Sequence, residues 1–115
     1  MSELVRVLSE DVEGMRVVRV LGEIDLSNTD EVREAISAAA ANDVSSVVVD
    51  LSGTTYLDSS GIAMLFRLAE GLRYRRQTLR LVVPPDAPIR RVLEITRVPQ
   101  VIPVQDAVTE ASPQV

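Results

Sequence analysis

Val47-Val48-Val49-Asp50-Leu51, followed after a short polar interval by Tyr56-Leu57-Asp58-Ser59-Ser60-Gly61, decides the fold. The first stretch is a brief β-branched apolar run bounded by polar residues, the signature of a buried strand. Past the second, Ile62, Leu65, Phe66, Leu68, Ala69 and Leu72 recur at helical spacing, which predicts a helix from Ser60 to about Arg75. Two hydroxyls and a carboxylate therefore stand where a strand hands over to a helix. At such a position unpaired backbone N–H groups and the positive end of the helix dipole favour an oxygen or an anion. Asp58, Ser59 and Ser60 are each competent to cap the helix.

The pattern repeats on either side. Leu4 to Leu8 and Met15 to Leu21 read as an antiparallel pair joined by the polar turn Ser9 to Gly14. Ser27-Asn28-Thr29-Asp30-Glu31 supplies caps and early acids, with Asn28 and Glu31 at capping-box spacing. The helix it opens runs to about Ala41, with Val32, Ala35, Ile36 and Ala39 inward. Leu79 to Val83 is a further strand, stopped by Pro84-Pro85. Pro88 opens a short helix with Ile89, Val92, Leu93 and Thr96 inward, followed by an extended stretch at Val101-Ile102 and a helical turn near Asp106. The tail, 111–115, is expected to fray, and one domain is expected over 1–110. Alternating strands and helices imply an α/β fold with a mixed, mostly parallel sheet of four or five strands and about four helices. Parallel strands end on a common edge, where open α/β sheets place their sites. Asp25, Asp58, Ser59 and Ser60 are expected to gather there.

Composition narrows the chemistry. The chain has 115 residues, no His, no Cys and, since all 12 basic residues are Arg, no Lys. Imidazole and thiol catalysis, Schiff-base lysines, Cys/His zinc sites and the P-loop lysine are excluded. The net charge of −5 argues against non-specific nucleic-acid binding. The local cluster Arg73, Arg75, Arg76 and Arg80 reads as a solvated helix end complementing the dipole. No apolar run is long enough to span a bilayer and no secretory signal is visible, so a cytoplasmic location is expected. No cofactor or metal is called for. A cation held by Asp25, Asp50 and Asp58 is the enzymatic alternative, and it lacks the lysine a receiver-like phosphoryl site uses.

Gly22-Glu23-Ile24-Asp25 after a valine-rich strand, Val47-Val48-Val49-Asp50-Leu51-Ser52, Leu57-Asp58-Ser59-Ser60-Gly61-Ile62, and Leu79-Arg80-Leu81-Val82 with Arg90-Arg91-Val92-Leu93-Glu94 together resemble the STAS domains. Within them the likeness is to the bacterial anti-sigma factor antagonists, and it covers nearly the whole chain. The resemblance implies a non-enzymatic module that binds an anti-sigma factor with serine kinase activity and so controls sigma-factor release and transcription. It implies that phosphorylation of the serine preceding the glycine, here Ser60, abolishes binding and that a PP2C-type phosphatase restores it. Asp25 falls at the family's other partner-contacting position. A monomer or weak dimer is expected. The other reading is a STAS scaffold subunit of a stress-signalling complex or an accessory subunit of a membrane transporter.

Helical periodicity puts Ser60, Ala63, Met64, Arg67 and Gly71 on the side away from the apolar face. Two readings of Met64 follow: an adaptable apolar contact for the partner, or a residue bordering the core. The expected partner surface comprises Asp25, Asp58, Ser59, Ser60, Gly61, Ala63, Met64 and Arg67. Asp50 is expected to be structural.

Overall fold

The structure is a computed structural model, described for residues 4–108; the expected tail, 111–115, lies outside them. Strands β1 (Val5–Val12) and β2 (Met15–Ile24) form an antiparallel hairpin. The strands run through most of the stretch expected to be a turn, leaving only Glu13 and Gly14 between them. Both have positive φ, 51° and 84°, the mirror-image turn whose twist matches that of paired strands. Chain order continues with α1 (Thr29–Ala40), β3 (Ser46–Asp50), β4 (Thr54–Leu57), α2 (Ser59–Tyr74), β5 (Thr78–Val82), α3 (Arg90–Ile95), a single 3-10 turn Val98–Gln100 and β6 (Val104–Gln105).

The sheet order is β1-β2-β3-β5-β6, with every pair after β1-β2 parallel. β4 lies off this path and pairs in parallel with the end of β2, beyond a register shift at Gly22/Glu23. Gly22 is required at that shift: its φ is +110° and a Cβ would lie 2.0 Å from the Leu4 carbonyl oxygen. β4 was not foreseen, because Thr54-Thr55-Tyr56-Leu57 is short and has no apolar alternation; the free end of β2 creates the strand. β6 forms two residues beyond the extended stretch expected at Val101-Ile102, and residues 106–108 make a bend and turn in place of a helical one.

Period-2 alternation divides each strand between two cores. Val18, Val20, Val47, Val49 and Leu81 face Val32, Ile36, Leu65, Leu68, Leu72 and Leu93 of the helices in the main cluster. Val17, Val48 and Val82 form a smaller cluster with Val12, Met15 and Val108. Burial of both faces is why β3 reads as an unbroken valine run. In α3, Ile89 and Leu93 are buried and Val92 half-buried, but Thr96 is exposed. Its hydroxyl donates back to the Val92 carbonyl at 2.6 Å, so the inward position expected for it is corrected.

Helix α2 stops through a pair of reverse bonds, Gln77 N–H to Leu72 O and Arg76 N–H to Arg73 O, with Arg76 at φ 60°. This turn delivers the buried Gln77 side chain to the end of α1. There its amide nitrogen lies 2.8 Å from Ala40 O, 2.5 Å from Ala41 O and 2.8 Å from Val44 O, serving carbonyls at the helix end and in the loop that follows it.

Candidate functional site at the carboxyl edge of the sheet

Ile24 of β2 is in register with Leu57 of β4, so the next residues, Asp25 and Asp58, leave the same edge side by side. The Asp58 N–H donates to Ile24 O at 3.4 Å, joining the two exits.

In the first loop, Asp25 Oδ1 accepts from the Ser27 N–H at 2.9 Å and from its hydroxyl at 2.5 Å, closing an Asx turn. Asn28 is buried and makes no side-chain cap to its own helix. Its Oδ1 accepts from the Asp25 N–H at 3.0 Å, and its Nδ2 donates to Glu23 O at 2.9 Å. The capping box expected from Asn28 and Glu31 is therefore not formed. Asn28 instead ties the loop to the end of β2, because a buried amide satisfies its donor and acceptor together on those backbone groups. This fixes Asp25 in position.

In the second loop, Asp58 is the N-cap of α2, with extended backbone. Its Oδ1 accepts from the Gly61 N–H at 3.0 Å and from the Ser60 hydroxyl at 2.5 Å. The Ser60 hydroxyl is the main cause holding the Asp58 carboxyl below the usual carboxylate range, opposed by partial burial and assisted by the Gly61, Leu26 and Ser60 amides. Asp58 is thus anionic at neutral pH. The cap is Asp58 and not a serine, so the helix begins at Ser59, and Ser60 occupies its second position.

Asp50 repeats the device at the end of β3: Oδ1 accepts from the Ser52 N–H at 2.9 Å and hydroxyl at 2.6 Å, while Oδ2 accepts from Arg19 Nε at 3.2 Å. Each of these three carboxylates is turned onto the serine two residues ahead, so they do not converge. Among the described residues no group of three or more acidic side chains could hold a metal ion.

Along α2, Ser59, Ala63 and Arg67 are exposed and Ser60 is half-buried. Gly61 is buried because a Cβ there would lie 2.3 Å from Leu57 Cδ1 and 3.3 Å from Ile24 Cγ2. Met64 is only 2% exposed and belongs to the main core. Its outward placement as a partner contact is corrected: α2 is flanked by α1 as well as by the sheet, which widens its buried arc to Gly61, Ile62, Met64, Leu65, Leu68 and Leu72. Leu26, not singled out by the sequence pattern, is 78% exposed between Asp25 and Ser27. A leucine inside a polar turn is the signal that could have found it.

The family model for the STAS domain matches residues 6–111. The chain belongs to the STAS domain family. A solved structure of an anti-sigma factor antagonist from Mycobacterium paratuberculosis is 30% identical, with a TM-score of 0.79 over 90% of this chain and 87% of that one. The anti-sigma factor antagonist SpoIIAA in its unphosphorylated form is 21% identical, with a TM-score of 0.66 over 86% of this chain and 87% of its own. The Bacillus cell fate determinant SpoIIAA in the phosphorylated form is 20% identical, with a TM-score of 0.58 over 86% of this chain and 90% of its own. The last two establish a shared fold. Among the described residues of this STAS domain, no helix is long and apolar enough to cross a membrane.

Proposed function

We propose that this STAS domain is a non-enzymatic anti-sigma factor antagonist: it binds an anti-sigma factor with serine kinase activity, and phosphorylation of Ser60 ends that binding. The observation that carries the reading is the Ser60 hydroxyl, half-buried at the second position of α2, hydrogen-bonded to the ionised cap Asp58 and adjoining the Asp25 loop. The docking surface is then Asp25, Leu26, Ser59 and Ser60 with the exposed stripe Ala63 and Arg67, all in the cytoplasm. A PP2C-type phosphatase resets the switch.

Charge explains how one phosphate suffices. It adds about −1.5 to −2 charges and three acceptor oxygens. Within the domain, the N-terminus of α2 stabilises an anion by roughly 0.3 to 1 kcal/mol, which offsets repulsion from Asp58. The Gly61 N–H bond to Asp58 does not involve the serine hydroxyl and survives modification. The domain therefore stays folded. At an interface the same charge must be desolvated, at a cost of several kcal/mol when unpaired, and about 2.7 kcal/mol is already a hundredfold in affinity.

Incubation with the cognate anti-sigma kinase and ATP, read by peptide mass spectrometry, is expected to place one phosphate on Ser60 and none on a Ser60→Ala variant. Ser60→Asp is expected to bind the anti-sigma factor about a hundredfold more weakly than the unmodified chain. Full affinity in Ser60→Asp and in the phosphorylated protein would overturn the proposal.

A further inference from the structure

The outer edge of β1 ends the sheet. At eight residues β1 is long for an edge strand, and it lacks the proline or bulge that commonly blocks one. Among the described residues no strand pairs with its outer side.

The hairpin fixes which groups point outward. Val12 and Met15 close the two-residue turn, and at the far end Leu4 O accepts from the Glu23 N–H at 2.9 Å. Bonded and non-bonded pairs alternate along an antiparallel ladder. Leu4, Arg6, Leu8, Glu10 and Val12 therefore bond inward to β2. Val5, Val7, Ser9 and Asp11 turn their N–H and C=O groups outward. The side chains of Leu4 and Leu8 are 44% and 46% exposed, and those of Arg6 and Glu10 are exposed on the same face of the sheet.

We infer that this edge pairs with a second copy of the chain, β1 against β1, antiparallel about a two-fold axis at Leu8. In that register Val7 and Ser9 exchange backbone bonds with each other across the axis, as do Val5 and Asp11. The close, non-bonded pairs are then Leu8 with Leu8, Arg6 with Glu10 twice, and Leu4 with Val12 twice. Moving the axis to Val7 sets Arg6 against Leu8 and Leu4 against Glu10; moving it to Ser9 sets Glu10 against Leu8 and Arg6 against Val12. On this exposed face, only the Leu8 register matches charge with opposite charge and apolar with apolar. Glu10 also pairs with Arg19 of its own chain, which holds it in place on this face. The edge lies on the opposite side of β2 from β4, so the pairing leaves Asp25, Asp58 and Ser60 uncovered. A single strand pair is a small interface, and the dimer is correspondingly weak and reversible.

Sedimentation equilibrium of the full chain at low salt, over a wide concentration range, tests this. The wild type is expected to rise from the mass of one chain toward two. Arg6→Glu alone and Glu10→Arg alone each create two like-charged cross-strand pairs and are expected to weaken association about tenfold or more. An equimolar mixture of the two variants restores both opposite-charge pairs and is expected to associate again. Ser9→Pro removes an outward N–H without touching the β1-β2 ladder and is expected to remain monomeric. Circular dichroism checks that each variant is folded; should Ser9→Pro fail to fold, the mixing experiment decides alone. A wild type that stays monomeric throughout, a folded Ser9→Pro that associates normally, or folded charge variants whose mixture stays monomeric would each refute the inference.

Discussion

Replacing Asp58 with alanine removes the acceptor that serves both the Gly61 N–H at 3.0 Å and the Ser60 hydroxyl at 2.5 Å. The hydroxyl is half-buried and recovers water, so it adds little to the loss. The Gly61 amide belongs to a buried residue and is left without its partner. Loss of a helix cap costs about 0.5 to 2 kcal/mol, and the burial of this amide puts Asp58→Ala in the upper half of that range. At about 4 °C per kcal/mol for a domain of this size, the thermal midpoint at pH 7 is expected to fall by roughly 4 to 8 °C. The pH dependence has a definite sign. The Asp58 carboxyl is held below its ordinary range, so the folded chain binds this proton more weakly than the unfolded one. The charge-dependent part of its contribution is complete above the unfolded pKa of about 3.9 and is lost as pH falls through the lower, folded value. The stability gap between wild type and Asp58→Ala, measured by urea denaturation with circular dichroism, should therefore shrink as pH drops below about 4. A gap that is absent at pH 7, or that persists unchanged into strong acid, would refute the assignment of Asp58 as an ionised cap.

Gly61→Ala forces a Cβ against Leu57 and Ile24 and is expected to cost about 1 to 3 kcal/mol, measurable as a lower urea midpoint. Met64→Ala opens a cavity in the main core and is expected to destabilise by about 2 to 5 kcal/mol, whereas Ala63→Glu, one residue earlier on the exposed stripe, should shift stability by less than about 0.5 kcal/mol. Gln77→Leu keeps the bulk but strips the donor from the carbonyls at the end of α1; a loss of about 1 to 3 kcal/mol is expected, with amide exchange in the last turn of α1 accelerating most.

Much of the α/β architecture can be read directly from the chain, because hydrophobic periodicity is a local property. The valine run of β3, the 3.6-residue spacing in α1 and α2, and the strand ending before Pro84-Pro85 each predict their element with little reference to distant residues. The strand-to-helix transition at Asp58-Ser59-Ser60-Gly61 is equally local, since three successive capping-competent side chains ahead of a helical apolar pattern mark it, although the choice of Asp58 among them is not. Together with Gly22-Glu23-Ile24-Asp25, that segment was enough to point to the STAS family.

Other features depend on which elements meet. β4 exists because β2 outruns β3 and leaves its last residues unpaired; nothing inside Thr54-Thr55-Tyr56-Leu57 announces a strand. Asn28 abandons its own helix because tertiary burial offers it the backbone of Glu23 and Asp25. Met64 turns inward because α1 lies beside α2, and the periodicity of one helix does not reveal how many neighbours surround it. Sequence spacing alone specified the periodicities of α1, α2 and β3 and a capped helix start within Asp58-Ser59-Ser60, all interactions spanning a few residues; that Asp58 is the cap came from the structure. The apposition of Asp25 with Asp58, the burial of Gly61 and the unpaired edge of β1 were decided only when segments distant along the chain came into register.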